Sequence, residues 1–257
     1  MLTPLFLILW AVFLFGGFIF GKLCDDRSRR MPAWTRMASS LMLVFTAWEL
    51  WWVVSTNQNA IYGDAAQTWL IIGVNDTFTF LIAVGMTLGF IGDLFMAGWI
   101  GGEPNPMGGI GAFGLGHIAY ITGMIHYANG FGLHGEARLY MWIVCALIGV
   151  IGWLIAVYIG AKRQKIHIGK LHYAALIYAL LLSSTLGVAA GLALFQTGFI
   201  VVAVGAALFL TSDLIIAARL FNKAHFMLID DVVWLTYGPA QAMIVTGATF
   251  AFLFQRL

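Results

Sequence analysis

Eight apolar runs of about twenty residues follow one another along the sequence, at 2–21, 34–56, 74–97, 108–130, 139–161, 171–192, 197–220 and 232–254. In hydrocarbon, a run of that length satisfies its own backbone N–H and C=O groups only by coiling into a helix. The pattern therefore predicts an all-α protein, a polytopic bundle of eight membrane-spanning helices forming a single transmembrane domain over residues 1–257. A soluble core is excluded by composition. The chain is 61% hydrophobic and 9% charged, and thirteen Lys and Arg with eleven Asp and Glu cannot build a polar shell around it. The stretch Trp69–Ala97 is too long for one upright span, and Asn75-Asp76-Thr77 interrupts it, so residues 66–73 read as an interfacial lead-in. No basic residue precedes the first run and no small-residue cleavage site follows it, which predicts a retained helix.

Basic residues then give an orientation. Lys22, Arg27, Arg29 and Arg30 follow span one, Lys162, Arg163, Lys165 and Lys170 follow span five, and Arg219 and Lys223 follow span seven. Even-numbered loops and the two tails hold only Arg138 and Arg256. The positive-inside rule puts the odd loops in the cytoplasm and both termini outside it, in a protein expected in the plasma (inner) membrane. Trp48, Trp51 and Trp52 fall at the outer end of span two, as an interfacial aromatic belt would.

Polar residues inside the spans can be sorted by depth on this topology. Asp93, in Gly89-Phe-Ile-Gly-Asp-Leu-Phe-Met-Ala-Gly98, lies about one turn from the cytoplasmic end of span three, and Asp213 lies about two turns from that of span seven. Span four brings His117 and Tyr120, three residues apart, and span eight brings Tyr237 and Gln241, four apart, each pair on one helical face in the same half. Gly85, Gly89 and Gly92 recur at close-packing spacing beside Asp93, which turns it toward protein. A carboxylate buried there is costly, so two at one depth mark a functional site. Glu49 sits in the outer half and stands apart.

Other chemistries find no support. Gly109-Ile-Gly-Ala-Phe-Gly114 imitates a dinucleotide fingerprint but no strand precedes it. His126, His134, His167, His172 and His225 are scattered, with no metal-ligand spacing, so neither a metal nor a cofactor is expected. Ser183-Ser-Thr185 falls in the outer half, away from any carboxylate or histidine, and forms no hydrolase triad. Cys24 and Cys145 offer no disulfide framework, and no basic patch with aromatics points to nucleic acid.

Four segments carry a resemblance. Leu88-Gly-Phe-Ile-Gly-Asp-Leu-Phe, Phe113-Gly-Leu-Gly-His-Ile-Ala-Tyr120, Ser212-Asp-Leu-Ile-Ile-Ala-Ala-Arg-Leu-Phe221 and Tyr237-Gly-Pro-Ala-Gln241 resemble, in order, the motifs of the YhhN-type lysoplasmalogenases. The resemblance implies a hydrolase that cleaves the vinyl ether bond of a lysoplasmalogen, releasing a fatty aldehyde and a glycerophospho-base. It also implies that Asp93 and Asp213 are the essential catalytic pair. The chemistry suits them: a vinyl ether is cleaved by protonation of its β-carbon and attack of water on the resulting oxocarbenium ion, which needs an acid and a base. His117, Tyr120, Tyr237 and Gln241 are expected to orient water and the hemiacetal oxygen. Arg219 and Lys223 are expected at the cytoplasmic face, as inside-anchors that meet the lipid headgroup.

Two alternatives accompany this reading. A proton-coupled transporter would continue its polar residues into the outer half, where only Glu49 is evident. A non-catalytic lipid-binding protein would use the aspartates for packing alone.

Overall fold

The computed structural model describes residues 2–56 and 68–253, in which eight long helices account for all eight apolar runs. They are α1 (Thr3–Phe20), α2 (Ala33–Thr56), α3 (Thr68–Met96), α4 (Pro106–Gly130), α5 (Glu136–Arg163), α6 (Lys170–Ala193), α7 (Phe199–Asn222) and α8 (Ile229–Leu253). Seven are long and apolar enough to cross a membrane, and α8 matches them in length. This is an integral membrane protein. The expected eighth span ends at 254, and Arg256 and the 57–67 part of the loop after α2 lie outside the described residues.

The helix starts follow from sequence. Asn105 Oδ1 accepts the Gly108 N–H at 3.0 Å and Pro106 opens α4, a cap followed by a residue that needs no N–H partner. At the other end of the chain's polar residues, Glu49 accepts from the Leu2 N–H and, at 2.6 Å, from the Thr3 hydroxyl. The Glu49 carboxylate thus fastens the start of α1 to α2. The Asn75-Asp76-Thr77 segment does not break α3, which runs through it continuously, and Thr79 returns its hydroxyl to the Asn75 carbonyl at 2.8 Å. Helix α5 contains one π-helical turn, Leu154–Ile159, which widens it where Trp153 and Val157 face α7 and the interior.

Packing closes six helices into a ring in the order α2, α3, α4, α6, α7, α8 and back to α2, with α1 outside on α2 and α8 and α5 outside on α6 and α7. The two outer helices keep large apolar side chains exposed, Leu5, Ile8, Val12 and Ile19 on α1 and Leu139, Ile143, Leu147 and Ile151 on α5, the faces that meet lipid. Trp52 is exposed in the same way, but Trp48 and Trp51 pack edge-on to Phe80 of α3, and Trp48 donates to Thr87 at 2.9 Å. Two of the three belt tryptophans are thus packing residues, because the long α3 covers that face of α2.

The closest approach is between α3 and α4. A Cβ on Gly85 would collide with the Tyr120 ring, one on Gly116 with the Gly85 carbonyl, and one on Gly92 with the Phe113 ring. The glycine stripe therefore seats aromatic side chains of α4 directly on the α3 backbone. At the end of the bundle that carries the basic loops, the 21–32 and 223–228 connections interlock. Leu228 N–H bonds the Arg27 carbonyl at 2.8 Å, and buried Asp231 accepts the Arg30 and Met31 N–H groups at 2.6 and 3.0 Å.

Candidate active site

Inside the ring, Asp93 of α3 is buried and its Oδ2 accepts two hydroxyls, Ser40 of α2 at 2.5 Å and Tyr237 of α8 at 3.0 Å. One turn further along α8, Gln241 Nε2 donates to the Tyr237 oxygen at 3.3 Å, and its Oε1 accepts the Tyr120 hydroxyl of α4 at 2.9 Å. Serine, aspartate, two tyrosines and glutamine from four helices thus form one continuous hydrogen-bonded chain. Gly89 makes room for it: a Cβ there would meet the Gln241 amide. The expectation that these groups share one level is corrected. Gln241 lies against Gly89, four residues from Asp93 on α3, and the Tyr120 ring lies against Gly85, eight residues away, so the chain runs along the helix axis as well as across the ring.

Asp213 of α7 accepts the hydroxyl of Tyr178 of α6. It is half-buried where Asp93 is closed off, because it lines a partly open apolar cavity of about 70 Å³ formed by the end of α3, the start of α4, and α5, α6 and α7. Met96, Pro106, Leu220 and Phe221 wall the cavity near the basic-loop end, and Leu182 and Leu210 wall its deep end. Tyr178 and Asp213 are the polar side chains that face it.

Aromatic rings join the two aspartate sites. Phe113 stands 6.4 Å from the ring of Tyr178 and 6.1 Å from that of Tyr237, and Phe209 packs 5.1 Å from Tyr237. His117 sits in the same box, 4.6 Å from Phe209, 5.7 Å from Tyr120 and 6.1 Å from Tyr178. Its Nδ1 lies 2.9 Å from Thr185 Oγ1. The Thr185 hydroxyl also reaches the Leu181 carbonyl at 3.1 Å, an arrangement that suits the imidazole tautomer with its proton on Nδ1. Nε2 is then a buried acceptor without a protein partner. The expectation that the Ser183–Thr185 cluster lies away from any histidine is therefore wrong: Thr185 faces His117, because His117 is mid-helix in α4 rather than near its end.

Of the sequence-derived residues, Asp93, Tyr237, Gln241 and Tyr120 meet in one network, and Asp213 and His117 border it through aromatic contacts. Arg219 and Lys223 do not join them. Arg219 pairs with Asp230 at the start of α8, and Lys223 terminates α7 in the left-handed region at φ 53°. Arg219 lies in the last turn of α7, beside the interlocked loops, and Lys223 begins one of them. Sequence reasoning missed Ser40 and Tyr178, the direct partners of the two aspartates. Ser40 lies beside Ser39 among other polar residues of α2, and Tyr178 is one of two tyrosines in α6; neither pattern separates them from ordinary helix-satisfied polar residues.

A profile of the YhhN family matches residues 34–248, from the start of α2 almost to the end of α8. The chain belongs to the YhhN family. The match takes in α2, with Ser40, beyond the four motifs between residues 88 and 241, and leaves out α1. No curated protein and no solved structure matches the chain.

Proposed function

We propose that this YhhN-family membrane protein hydrolyses the vinyl ether bond of a lysoplasmalogen, with Asp93 and Asp213 as its acid and base. The observation that carries the reading is the pairing of two intramembrane aspartates, each held by a tyrosine hydroxyl, around one aromatic interior with an apolar cavity at Asp213. Family membership supports it independently.

In this scheme the alkenyl chain enters between the helices and its vinyl ether meets Asp213, the carboxyl group that borders the cavity. Asp213 protonates the β-carbon and an oxocarbenium ion forms at the α-carbon. Water adds there and gives up its proton to a carboxylate, and the hemiacetal breaks its C–O bond to give the aldehyde and the free glycerol hydroxyl. Two hydroxyls aimed at one oxygen suit Asp93 to the acceptor role, as base and as stabiliser of the cation. The unpartnered Nε2 of His117 suits a water-orienting role. Tyr237, Gln241 and Tyr120 hold Asp93 and each other. No cofactor is required, since protons and water balance every step.

The test is chemical. Purified protein should release aldehyde from a lysoplasmalogen and release nothing from the matching ester or alkyl-ether lysolipid, whose bonds do not respond to carbon protonation in this way. Equal fatty-acid release from the ester would instead make it a lysophospholipase. A second reading, proton transport, draws on the hydrogen-bonded chain that descends from Ser40 to Tyr120. Acidification of proteoliposomes without lipid turnover would favour it.

A further inference from the structure

Arg36 is a cation in the first turn of α2, inside a membrane span, and the mechanism above does not use it. Its guanidinium lies 5.6 Å over the ring of Trp234 on α8, and its Nε is buried without a hydrogen-bond partner. The carboxylates of this corner are engaged elsewhere. Asp93 Oδ2 takes Ser40 and Tyr237, Asp231 takes two backbone N–H groups, and Asp230 takes Arg219, the one ion pair among the described residues. Asp231 and Asp93 act on it through space but give it no hydrogen bond, so the donors of this part-buried guanidinium are left for a further anion to meet.

Register says where that anion sits. Arg36 is four residues before Ser40 on α2, and Trp234 is three before Tyr237 on α8. Both helices therefore set the Arg36–Trp234 pair one turn toward the basic-loop end from the Ser40–Asp93–Tyr237 cluster, about 5.4 Å along the axis. In a lysoplasmalogen, the three-carbon glycerol backbone separates the ether oxygen from the phosphate by a comparable reach. The indole ring supports the guanidinium from one side, and its Nε has no partner, so its donors can turn to two phosphate oxygens.

We infer that Arg36, held on Trp234, binds the phosphate of the lysolipid substrate and sets its glycerol backbone against the aspartate site. This rests on the lipid-hydrolase reading for its ligand. Arg219, by contrast, is already neutralised by Asp230 and takes no part.

The experiment separates the two readings by measuring binding without turnover. A lysolipid with a saturated ether in place of the vinyl ether is titrated against the full-length parent, Arg36→Gln and Arg36→Lys in detergent, beside the same glycerol ether lacking phosphate and inorganic phosphate alone. The parent should prefer the phospholipid over the phosphate-free ether by about 10- to 100-fold, Arg36→Gln should lose that preference, and Arg36→Lys should recover part of it. In turnover, Arg36→Gln should raise KM by a similar factor and leave kcat within about threefold. Its melting temperature should equal or exceed the parent's, because an unpaired buried charge is removed. Unchanged phospholipid affinity in Arg36→Gln overturns the inference, as does an equal loss for both ethers with a lowered melting temperature, which makes Arg36 a packing residue. Inorganic phosphate binding the parent as tightly as the lysolipid does overturns the lipid assignment. A parent that binds with this preference but releases no aldehyde retains the phosphate site and refutes the hydrolase reading alone.

Discussion

Ser40 and Tyr237 donate to the same oxygen of Asp93, at 2.5 and 3.0 Å, although they belong to helices α2 and α8 at opposite ends of the chain. The ring of six helices closes at this point, so the hydrogen bonds that hold the carboxylate also join the first ring helix to the last.

Replacing either aspartate by asparagine keeps its volume and much of its hydrogen bonding but removes the proton it exchanges. Turnover in Asp93→Asn and in Asp213→Asn should fall by about 10²- to 10⁴-fold, measured as aldehyde release. Thermal stability in detergent should stay close to the parent's, since no new unpaired charge is buried. Near-parental turnover in either variant would remove that residue from the mechanism.

Tyr237 links Asp93 to Gln241, so Tyr237→Phe breaks both bonds while Ser40→Ala breaks one. Tyr237→Phe should lower kcat more than Ser40→Ala does. Combining them should cost less than the product of the single effects, because both act through one carboxylate oxygen. Strictly multiplicative losses in a double-mutant cycle would mean that the two hydroxyls act separately.

Gly85→Ala drives a methyl group into the Tyr120 ring and the Gly116 carbonyl, whereas Gly111, on the same helix pair's exposed side, has no neighbour within 4 Å of an added Cβ. Gly85→Ala should destabilise by about 1–3 kcal/mol in a reversible unfolding assay. Gly111→Ala should be neutral or slightly stabilising, as a helical Ala replaces Gly. Equal effects would contradict the close α3–α4 packing.

Arg219 is partly exposed and paired with Asp230. Arg219→Ala should cost about 0.2–1 kcal/mol of stability and leave KM for the lysolipid unchanged. A raised KM would restore Arg219 to the headgroup site expected from sequence.

The basic loops make a topological prediction. A reporter fused after Leu257 should be active outside the cytoplasm, and one inserted within 162–170 should be active inside. The reverse pattern would invert the bundle without altering the aspartate geometry.

Sequence alone determined the solvent, the helices and the family. A membrane helix must hold its own backbone hydrogen bonds and needs about twenty apolar residues to span, so spans are local facts, readable one segment at a time. Asp93 and Asp213 were legible for the same reason: a carboxylate in such a run is anomalous wherever the helix ends up. Partners are not local. Ser40 and Arg36 belong to one face of α2, yet only the closure of α2 onto α3 and α8 made Ser40 the donor to Asp93 and left Arg36 over Trp234. Tyr178 and Thr185 were given their meaning by the docking of α6 against α4 and α7. The pairing of α7 with α8 took Arg219 away, because it brought Asp230, at the start of α8, to it. Which helix faces which is set by side-chain packing across the ring, between residues as far apart as Asp93 and Tyr237, 144 positions, and no periodicity within a single span carries that information.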